Sequence, residues 1–202
     1  MGIPKFNAPI GANFFRGSTV KVARNLLGTY LAHKSRDGLA IGRIVETEAY
    51  LGNGDDPACH AHRGRTKRNA VMFGPAGFSY VYFIYGMYFC FNVVTRKEGV
   101  GEAVLIRALE PVVGTSLMTK RRKGAELRNL CNGPGKLVLA LGLTGAHNGL
   151  DLRTSKVRIL APSTARSATG EKIVTATRIG LSKAEHLPLR FYLAGSEFVS
   201  KM

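Results

Sequence analysis

Residues 29–51, TYLAHKSRDGLAIGRIVETEAYL, carry the clearest signal for the fold of this chain. The Asp37-Gly38 step separates two runs rich in aliphatic and aromatic residues, a pattern typical of two antiparallel strands joined by a tight turn. The preceding residues, 18–28, begin with a Ser-Thr cap and space their apolar side chains as a helix does. The sequence therefore predicts a helix that ends near Gly28 and, directly after it, a β-hairpin.

The rest of the chain mixes further strands with short helices. Pro134 stands where a first helical turn tolerates proline, and Gly142 stands where helices often end. The later part of the chain reads as strands and turns, with the runs KVRILAP (156–162), TRIGL (177–181) and LRFYLAG (189–195). No internal repeat or linker divides the 202 residues, so we expect a single α+β domain, 1–202, with a curved, mainly antiparallel sheet and surrounding helices. Residues 1–13 are expected to form a loose N-terminal arm.

The charge of the chain indicates a polyanionic partner. Lys and Arg number 29 against 13 Asp and Glu, which gives a formal net charge of +16. Each phosphate contact of such a surface releases counterions, and this favours nucleic acid as the partner. An acidic membrane face is the rival partner, but the sequence has no amphipathic basic helix with an aromatic face and no apolar run of membrane-spanning length.

Cysteine usage bears on the compartment. Three cysteines at scattered positions, Cys59, Cys90 and Cys131, argue against a disulfide framework and for a reducing environment. The first residues, MGIPKFNAPIGANFFRGS, contain no apolar core long enough for a signal peptide. We therefore expect a cytoplasmic protein, or a nuclear one if the source is eukaryotic, with no membrane partner.

The run RIVETEAY, residues 43–50, offers a candidate catalytic group. Alternate side chains of a strand share a face, so Glu46, Glu48 and Tyr50 are expected to point the same way. If that face meets a cleft, one carboxylate could act as a general base on water. The alternative is a solvated strand face that carries ordinary glutamates.

The loop CHAHRGR brings Cys59, His60 and His62 close together without predicting a metal site. Zinc needs three or four ligands, and no second Cys/His pair lies at finger-like spacing. We expect no metal and no other cofactor. The loop is interpreted either as the donor of one imidazole to a pocket and of arginines to phosphates, or as a mobile basic loop. Further along, CNGPGKL lacks the pattern of a phosphate loop, although a helix N-terminus beside Lys136 could hold a nucleic-acid phosphate.

Residues 79–92, SYVYFIYGMYFCFN, hold four of the seven tyrosines and three of the ten phenylalanines. The Gly-Met step permits a tight turn, so the run predicts a protruding β-hairpin with Tyr85 and Met87 at its tip. These side chains are costly to leave in water unless the tip inserts somewhere, and proteins that unstack DNA use such apolar wedges. The alternative is an aromatic hairpin core in a basic RNA-binding protein. Phe83 and Phe89 are expected in the core.

Seven segments of the sequence match the motifs of a known family and occur in the same order along the chain. They are FFRGSTVKVARNLLGTYL, GRIVETEAYLG, RTKRNAVMF, YVYFIYGMYFCFNVV, AVLIRALEP, LCNGPGKL and PLRFYLAGSEFVS, and they cover the chain from about Phe14 to Ser200. With these segments the chain resembles the alkyladenine (3-methyladenine) DNA glycosylase family of the mammalian-type fold. Several consecutive matching segments of this length are far more specific evidence of family membership than any single short motif.

The resemblance implies a monofunctional DNA repair glycosylase that flips damaged purines out of double-stranded DNA. The purines implied are alkylated or deaminated, such as 3-methyladenine, 7-methylguanine, hypoxanthine and ethenoadenine. Hydrolysis of the N-glycosidic bond by a glutamate-activated water would leave an abasic site. The resemblance also implies a monomer without a cofactor, whose β-hairpin enters the DNA.

The resemblance assigns catalytic and base-binding residues. It implies Glu48 as the general base and Arg107 as the residue that helps to hold the attacking water. Around the flipped base it implies Tyr50 on one face and His60 with Tyr82 on the other.

Further roles follow from the same resemblance. Asn92 would discriminate against the exocyclic amine of guanine. Tyr85 would fill the gap that the flipped base leaves in the DNA stack, with Met87 beside it. Three residues are expected at the DNA backbone: Arg65, Thr66 and Lys136.

The sequence departs from the family between Glu48 and the pocket histidine. It reads NGDDPAC where the family has Pro-Glu-Asp, and it is about one residue longer, which leaves both His60 and His62 open as the pocket histidine. His60 is preferred because DDPACH keeps the acidic-to-histidine pattern of the family. The long N-terminal extension of eukaryotic members is missing, which favours a compact bacterial-type protein.

Two other functions remain as alternatives at this point. A non-catalytic nucleic-acid-binding protein could use the same hairpin as an architectural wedge. A metal-dependent nuclease would instead need a metal site that the sequence does not predict.

Overall fold

The computed structural model describes residues 6–52, 54, 56–162 and 171–201. Its strands are β1 (Phe6–Pro9), β2 (Tyr30–Ser35), β3 (Gly38–Tyr50), β4 (Ser79–Ile84), β5 (Tyr88–Val94), β6 (Ala103–Val113), β7 (Val157–Pro162), β8 (Ile173–Ala176) and β9 (Arg190–Leu193). Its helices are α1 (Ala12–Phe15), α2 (Thr19–Leu26), α3 (Thr115–Arg121) and α4 (Pro134–Leu141).

Within the described residues the strands form one open antiparallel sheet. Its main path runs β1-β7-β2-β3-β6-β5-β4, and β9 pairs with both β3 and β8. The expected α+β architecture is thus confirmed as a mixed α/β single domain with few helices. The curvature of the sheet and the entry of its β4–β5 hairpin into DNA stay predictions.

The long strand β3 organises the sheet because three strands pair with it. β2 pairs along residues 38–43, β6 along residues 41–50 and β9 along residues 46–48. The side chains of Val45 and Ala49 are buried in the main core. The predicted alternation therefore places Glu46, Glu48 and Tyr50 on the opposite face.

The pairing of β3 with β6 is irregular at the point where the carboxylates lie. Ile44 is opposite Leu109 and Glu46 is opposite Ala108, so that Val45 is an extra residue on β3. The next pair joins Thr47 to Ile106, which leaves Arg107 as an extra residue on β6. Such bulges re-aim side chains, and here the irregularity places Arg107 beside the β3 glutamates.

The predicted helix and hairpin are both confirmed. α2 begins after Ser18, whose side-chain oxygen accepts a hydrogen bond from the N–H of Lys21, and it buries an apolar stripe in the main core. β2 and β3 pair from Tyr30 opposite Arg43 to Ser35 opposite Gly38.

The glycine and proline signals around α4 are confirmed as well. The helix starts at Pro134 and stops before Gly142, whose φ of 71° is left-handed and suits a residue without a side chain. No helix in the described part of the chain is long and apolar enough to cross a membrane.

The expectation of a loose arm over residues 1–13 is wrong for residues 6–13. β1 pairs with β7, and the N–H of Ile10 donates to the carbonyl of Ile159 at 3.2 Å. The edge of β7 would otherwise present unpaired backbone groups, which these residues satisfy. Residues 1–5 lie outside the described part of the chain.

Residues 177–181, in the part of the chain expected to hold strands and turns, form no strand. β8 ends at Ala176, and the following residues run as a loop. The N–H of Ile179 donates to the carboxylate of Glu48 rather than to a neighbouring strand. The apolar run therefore serves a site instead of the sheet.

Candidate active site

A cavity of about 290 Å³ opens between β3, the β4–β5 hairpin, β6 and two loops. Its walls are largely aromatic and aliphatic, with a few polar groups among them, a composition typical of a small-molecule site. The lining residues include Tyr50, His60, Tyr82, Asn92, Arg107 and Ile179.

The β4–β5 hairpin builds one wall through its strand alternation. Tyr80 and Tyr82 share a face of β4 and lie opposite Asn92 and Cys90 on β5. The side-chain N–H of Asn92 donates to the carbonyl of Tyr80 at 3.0 Å, which fixes the amide in the wall. Residues of both strands therefore enter the same cavity.

Beneath this wall, Arg107 lies between two carboxylates that have no exposed surface. Its Nε is 3.2 Å from Oε1 of Glu46, and its Nη1 is 3.2 Å from Oε1 of Glu48. Burial works against the charge of Arg107, but Glu48 and then Glu46 outweigh it, so that the pKa of Arg107 is raised. The alternative of a solvated strand face is therefore wrong, because this face meets a cavity rather than solvent.

Glu46 and Glu48 differ in what surrounds them. Glu46 accepts hydrogen bonds from the N–H and the hydroxyl of Ser200 at 2.7 and 3.0 Å, and Nε of Arg190 is 3.1 Å from its Oε1. These contacts with Ser200 and Arg190 hold the carboxylate of Glu46 in a fixed position beneath the cavity.

Glu48 is contacted by residues that line the cavity. Oε1 accepts the N–H of Ile179 at 2.9 Å, and Oε2 accepts the hydroxyl of Tyr50 at 2.9 Å. An ionised carboxylate accepts hydrogen bonds only, and all three of its neighbours, Arg107 included, are donors. Glu48 itself is covered by Tyr50, Arg107 and Ile179 and is not among the described residues that line the cavity.

The buried tyrosines Tyr50, Tyr80 and Tyr82 remain protonated across the physiological range because the pKa of each hydroxyl is raised. Burial, followed by the charge of Glu48, raises the pKa of Tyr50. Burial likewise raises the pKa of Tyr82, and it raises that of Tyr80 to about 12. These phenols therefore act as neutral rings and as hydrogen-bond donors.

His60 lines the cavity, whereas His62 is not among its described lining residues. The His60 ring forms a 2.9 Å hydrogen bond through Nδ1 with the hydroxyl of Tyr80, and its centroid lies 4.5 Å from that of Tyr82. Burial of the ring, and then the charge of Arg68, lowers the pKa of His60. The geometry thus favours a neutral imidazole at this wall.

The hairpin tip is exposed, as predicted. Tyr85 is 76% exposed and borders the cavity, and Met87 is 66% exposed. Tyr85 also has a φ of 53°, in the left-handed region that side chains rarely adopt. The expectation that Phe83 lies in the core is wrong, because it is 48% exposed, whereas its neighbour Phe89 is half-buried and packs against the main core.

The three residues expected at the DNA backbone lie outside the cavity. Arg65 and Thr66 are exposed on the loop after His60. Lys136 is half-buried in the first turn of α4, where its Nζ donates to the side chain of Asn132 at 2.8 Å. Their contact with DNA stays a prediction.

Sequence reasoning missed a buried ion pair behind the cavity. The guanidinium of Arg178 donates to both carboxylate oxygens of Asp56 at 2.6 Å, and neither side chain has exposed surface. Arg178 precedes Ile179 in the run TRIGL at residues 177–181. The charged residue inside an apolar run was the available signal, because arginine is rarely buried without a partner.

Among the described residues, no group of three or more His, Cys, Asp or Glu side chains is placed to hold a metal ion. The expectation of no metal and no cofactor stays a prediction.

The sequence is similar to a family and to individual proteins that are all named as DNA glycosylases. The sequence model of the methylpurine-DNA glycosylase family matches residues 13–197. A protein of Methanoculleus marisnigri named "Putative 3-methyladenine DNA glycosylase" is 54% identical over 190 residues, which are 94% of this chain and 97% of the relative. Proteins of the same name from Carboxydothermus hydrogenoformans and Francisella tularensis are 50% and 48% identical over 188 and 186 residues. These alignments span 93% and 92% of this chain, and 96% and 95% of the relatives.

Proposed function

The chain belongs to the methylpurine-DNA glycosylase family and is a DNA glycosylase, and we propose that it hydrolyses the N-glycosidic bond of alkylated or deaminated purines in double-stranded DNA. The proposed substrates are 3-methyladenine, 7-methylguanine, hypoxanthine and ethenoadenine. The observation that carries the proposal is the buried Glu48–Arg107 pair directly beneath an aromatic cavity.

The cavity suits a flat aromatic base. In the proposal, a purine flipped out of the duplex lies between Tyr50 on one side and His60 with Tyr82 on the other. Stacking of a base on an aromatic side chain is worth about 1–3 kcal/mol and tolerates different bases, which fits a set of several purines. All three residues line the cavity.

Glu48 is proposed as the general base. It would take a proton from a water molecule while the water oxygen bonds to C1′ of the sugar and the bond from C1′ to the purine breaks, so that the purine leaves with the electron pair of that bond. Positive charge develops on the sugar, and an ionised carboxylate stabilises it. Tyr50, Arg107 and Ile179 contact Glu48 and line the cavity, and the proposed water binds at the part of the wall that these three residues form.

Asn92 is proposed to set one limit of specificity. Its amide is fixed in the wall by donation to the carbonyl of Tyr80. In the proposal, this fixed side chain leaves less room at the wall for an exocyclic amine, as in guanine, than for a hydrogen atom at the same position of the purine, which disfavours normal guanine.

The surface of the protein suits duplex DNA. The formal charge of +16 favours association with phosphates, and Arg65, Thr66 and Lys136 are the proposed backbone contacts. Tyr85, exposed at the hairpin tip beside the cavity, is proposed to occupy the space of the extruded base, with Met87 next to it. We propose that the protein acts as a monomer.

The proposal is tested with duplex DNA that carries one hypoxanthine, ethenoadenine or 7-methylguanine in an end-labelled strand. After incubation, alkali converts abasic sites into strand breaks, and an untreated sample reports direct cleavage. The proposal expects breaks only after alkali, unaffected by a chelator. Binding without release of any of these bases would instead support a non-catalytic architectural protein, and chelator-sensitive breaks without alkali would support a nuclease.

A further inference from the structure

The ion pair of Asp56 and Arg178 connects three segments around the cavity. Besides its two bonds to Asp56, the guanidinium donates to the carbonyl of Ala49 at 3.0 Å. The carboxylate of Asp56 also accepts the N–H groups of Leu51 and Ala58 at 3.2 and 3.1 Å. The end of β3, the loop before His60 and the loop after β8 therefore meet at one charged pair.

The same guanidinium lies over the ring of Tyr50. The central carbon of Arg178 is 4.6 Å from the ring centroid, within the range of a cation–π contact. Tyr50 lines the cavity, but Arg178 is not among the described residues that do so. The charge therefore sits behind the ring, on the side away from the cavity.

The charge of Arg178 is felt at Tyr50 despite its partner Asp56. Burial and the charge of Glu48 raise the pKa of the Tyr50 hydroxyl, and Arg178 acts in the opposite direction. The charge of Arg178 thus acts on the side chain that would stack on a flipped base.

We propose that Arg178 is a specificity-determining residue, whose charge behind Tyr50 weakens the stacking of cationic purines relative to neutral purines in the cavity. The inference rests on the proposed function, because it concerns which of the proposed substrates the site favours. Purines such as 7-methylguanine carry a positive charge in DNA, whereas hypoxanthine is neutral.

The physical reason is that an aromatic ring has a limited negative potential on its faces. A cation on one face uses that potential, and a second cation on the other face is also repelled directly. A neutral base stacks mainly through contact area and loses little. Asp56 partly offsets the charge of Arg178, so removing Asp56 alone should strengthen the bias, and neutralising both should remove it.

Two variants test whether the charge of Arg178 disfavours cationic purines relative to neutral ones. Asp56→Asn leaves the arginine charge without its counter-charge, and the double variant Asp56→Asn with Arg178→Gln replaces the ion pair by two amides that can still hydrogen-bond. Arg24→Gln is the matched control for a lost cation, because Arg24 lies 5.5 Å over the ring of Phe191 and does not line this cavity. Asp37→Asn, at a mostly exposed carboxylate, controls for a lost negative charge.

The measurement is the dissociation constant for two duplexes. Each carries a 2′-fluoro nucleotide, whose electron-withdrawing fluorine resists glycosidic cleavage, with either 7-methylguanine or hypoxanthine as the base. The quantity compared is the affinity for the 7-methylguanine duplex divided by the affinity for the hypoxanthine duplex. Thermal unfolding of each variant confirms that it is folded.

The proposal expects the ratio to rise on the order of two- to fivefold in the double variant and to fall by a similar factor in Asp56→Asn. The two controls should leave the ratio unchanged. If the ion pair were merely structural, both variants would loosen the cavity, and the affinity ratio would shift in the same direction in both or stay unchanged. Either result overturns the proposal. If Asp56→Asn does not fold, the double variant decides alone, and a ratio that fails to rise overturns the proposal.

Failure of this inference is distinguishable from failure of the proposed function. Unfluorinated duplexes with the same two bases are incubated with the unaltered protein in parallel. If neither base is released, the proposed function fails. If bases are released but the ratio does not respond to Arg178, only the inference fails.

Discussion

Replacing Arg107 with methionine should cost much of the stability of this protein. Arg107 lies 3.2 Å from one oxygen of Glu46 and 3.2 Å from one oxygen of Glu48, and both carboxylates are fully buried. Methionine keeps a long apolar stem but has no charge. The variant therefore leaves negative charge in the interior where the cation was.

The contacts that Glu46 and Glu48 keep in this variant determine how much stability is lost. Glu46 keeps Arg190 within 3.1 Å and the two hydrogen bonds from Ser200. Glu48 keeps only the uncharged donors Tyr50 and Ile179 among its described partners. Removing one partner of a buried pair costs about 3–5 kcal/mol, and we expect a loss of this size, mostly from Glu48.

A double-mutant cycle assigns the loss to the carboxylate. Urea unfolding gives the free energy of unfolding for the unaltered protein, Arg107→Met, Glu48→Gln and the double variant. Because the double variant has no unpaired charge at Glu48, we expect it to recover at least about 2 kcal/mol relative to the sum of the single losses. Arg190→Met is the matched control, since Arg190 pairs with Glu46 and its effect should add to that of Glu48→Gln.

Two results would refute this reasoning. One is a loss below about 1 kcal/mol in Arg107→Met, which is within the range of ordinary exposed pairs. The other is strict additivity of Arg107→Met and Glu48→Gln. Either would mean that the ion pair does not hold Glu48 in its buried place.

Three further predictions concern the hairpin, the charge of the surface and the histidines. Tyr85→Ala should change the free energy of unfolding by less than about 0.5 kcal/mol, because Tyr85 is 76% exposed, yet weaken binding to lesion-bearing duplex by about 1–3 kcal/mol, as titrations would show. Lys136→Ala should weaken binding to damaged and undamaged duplex alike and lower the slope of log affinity against log salt by about 1; an unchanged slope would remove Lys136 from the backbone contacts. Burial lowers the pKa of His33 and of His147 from 6.5, so the unfolded chain binds protons that the folded protein does not. The free energy of unfolding should therefore fall as the pH drops below about 6.5, and His33→Gln should reduce that fall in urea unfolding at pH 7.5 and 5.5.

Local signals in the sequence were sufficient for the elements near tight turns. The Asp37-Gly38 step predicted the β2–β3 hairpin, and the Pro134 and Gly142 pair predicted both ends of α4. In these places the backbone conformation depends on residues next to one another. Such signals do not need the rest of the fold to be known.

Long-range partners explain what the sequence did not predict. β1 exists because β7 offers it a sheet edge, and β7 lies about 150 residues further along the chain. Arg178 and Asp56 are 122 residues apart, and only the folded sheet brings them together. The bulges that aim Arg107 at Glu48 depend in the same way on how two distant strands pair.

The candidate site shows the same division. Strand alternation predicted that Glu46 and Glu48 share a face, but not that the face is fully buried and joined by Arg107. The resemblance led to His60, and the structure places His60 rather than His62 at the cavity. Phe83 was expected in the core because it is apolar, but it lies two residues before the exposed Tyr85 at the hairpin tip and is itself 48% exposed.

The most direct test compares the unaltered protein with Glu48→Gln under single-turnover conditions, with hypoxanthine in duplex DNA as the substrate. Gln keeps the size of Glu48, can accept the hydrogen bond of Ile179 through its carbonyl oxygen and can donate its amide N–H to the hydroxyl of Tyr50, but it cannot take a proton from water. We predict that the variant binds the duplex as tightly as the unaltered protein while hypoxanthine release falls at least about 100-fold, the usual contribution of a general base. Release at an unchanged rate by a folded Glu48→Gln protein would contradict the assignment of Glu48 as the base.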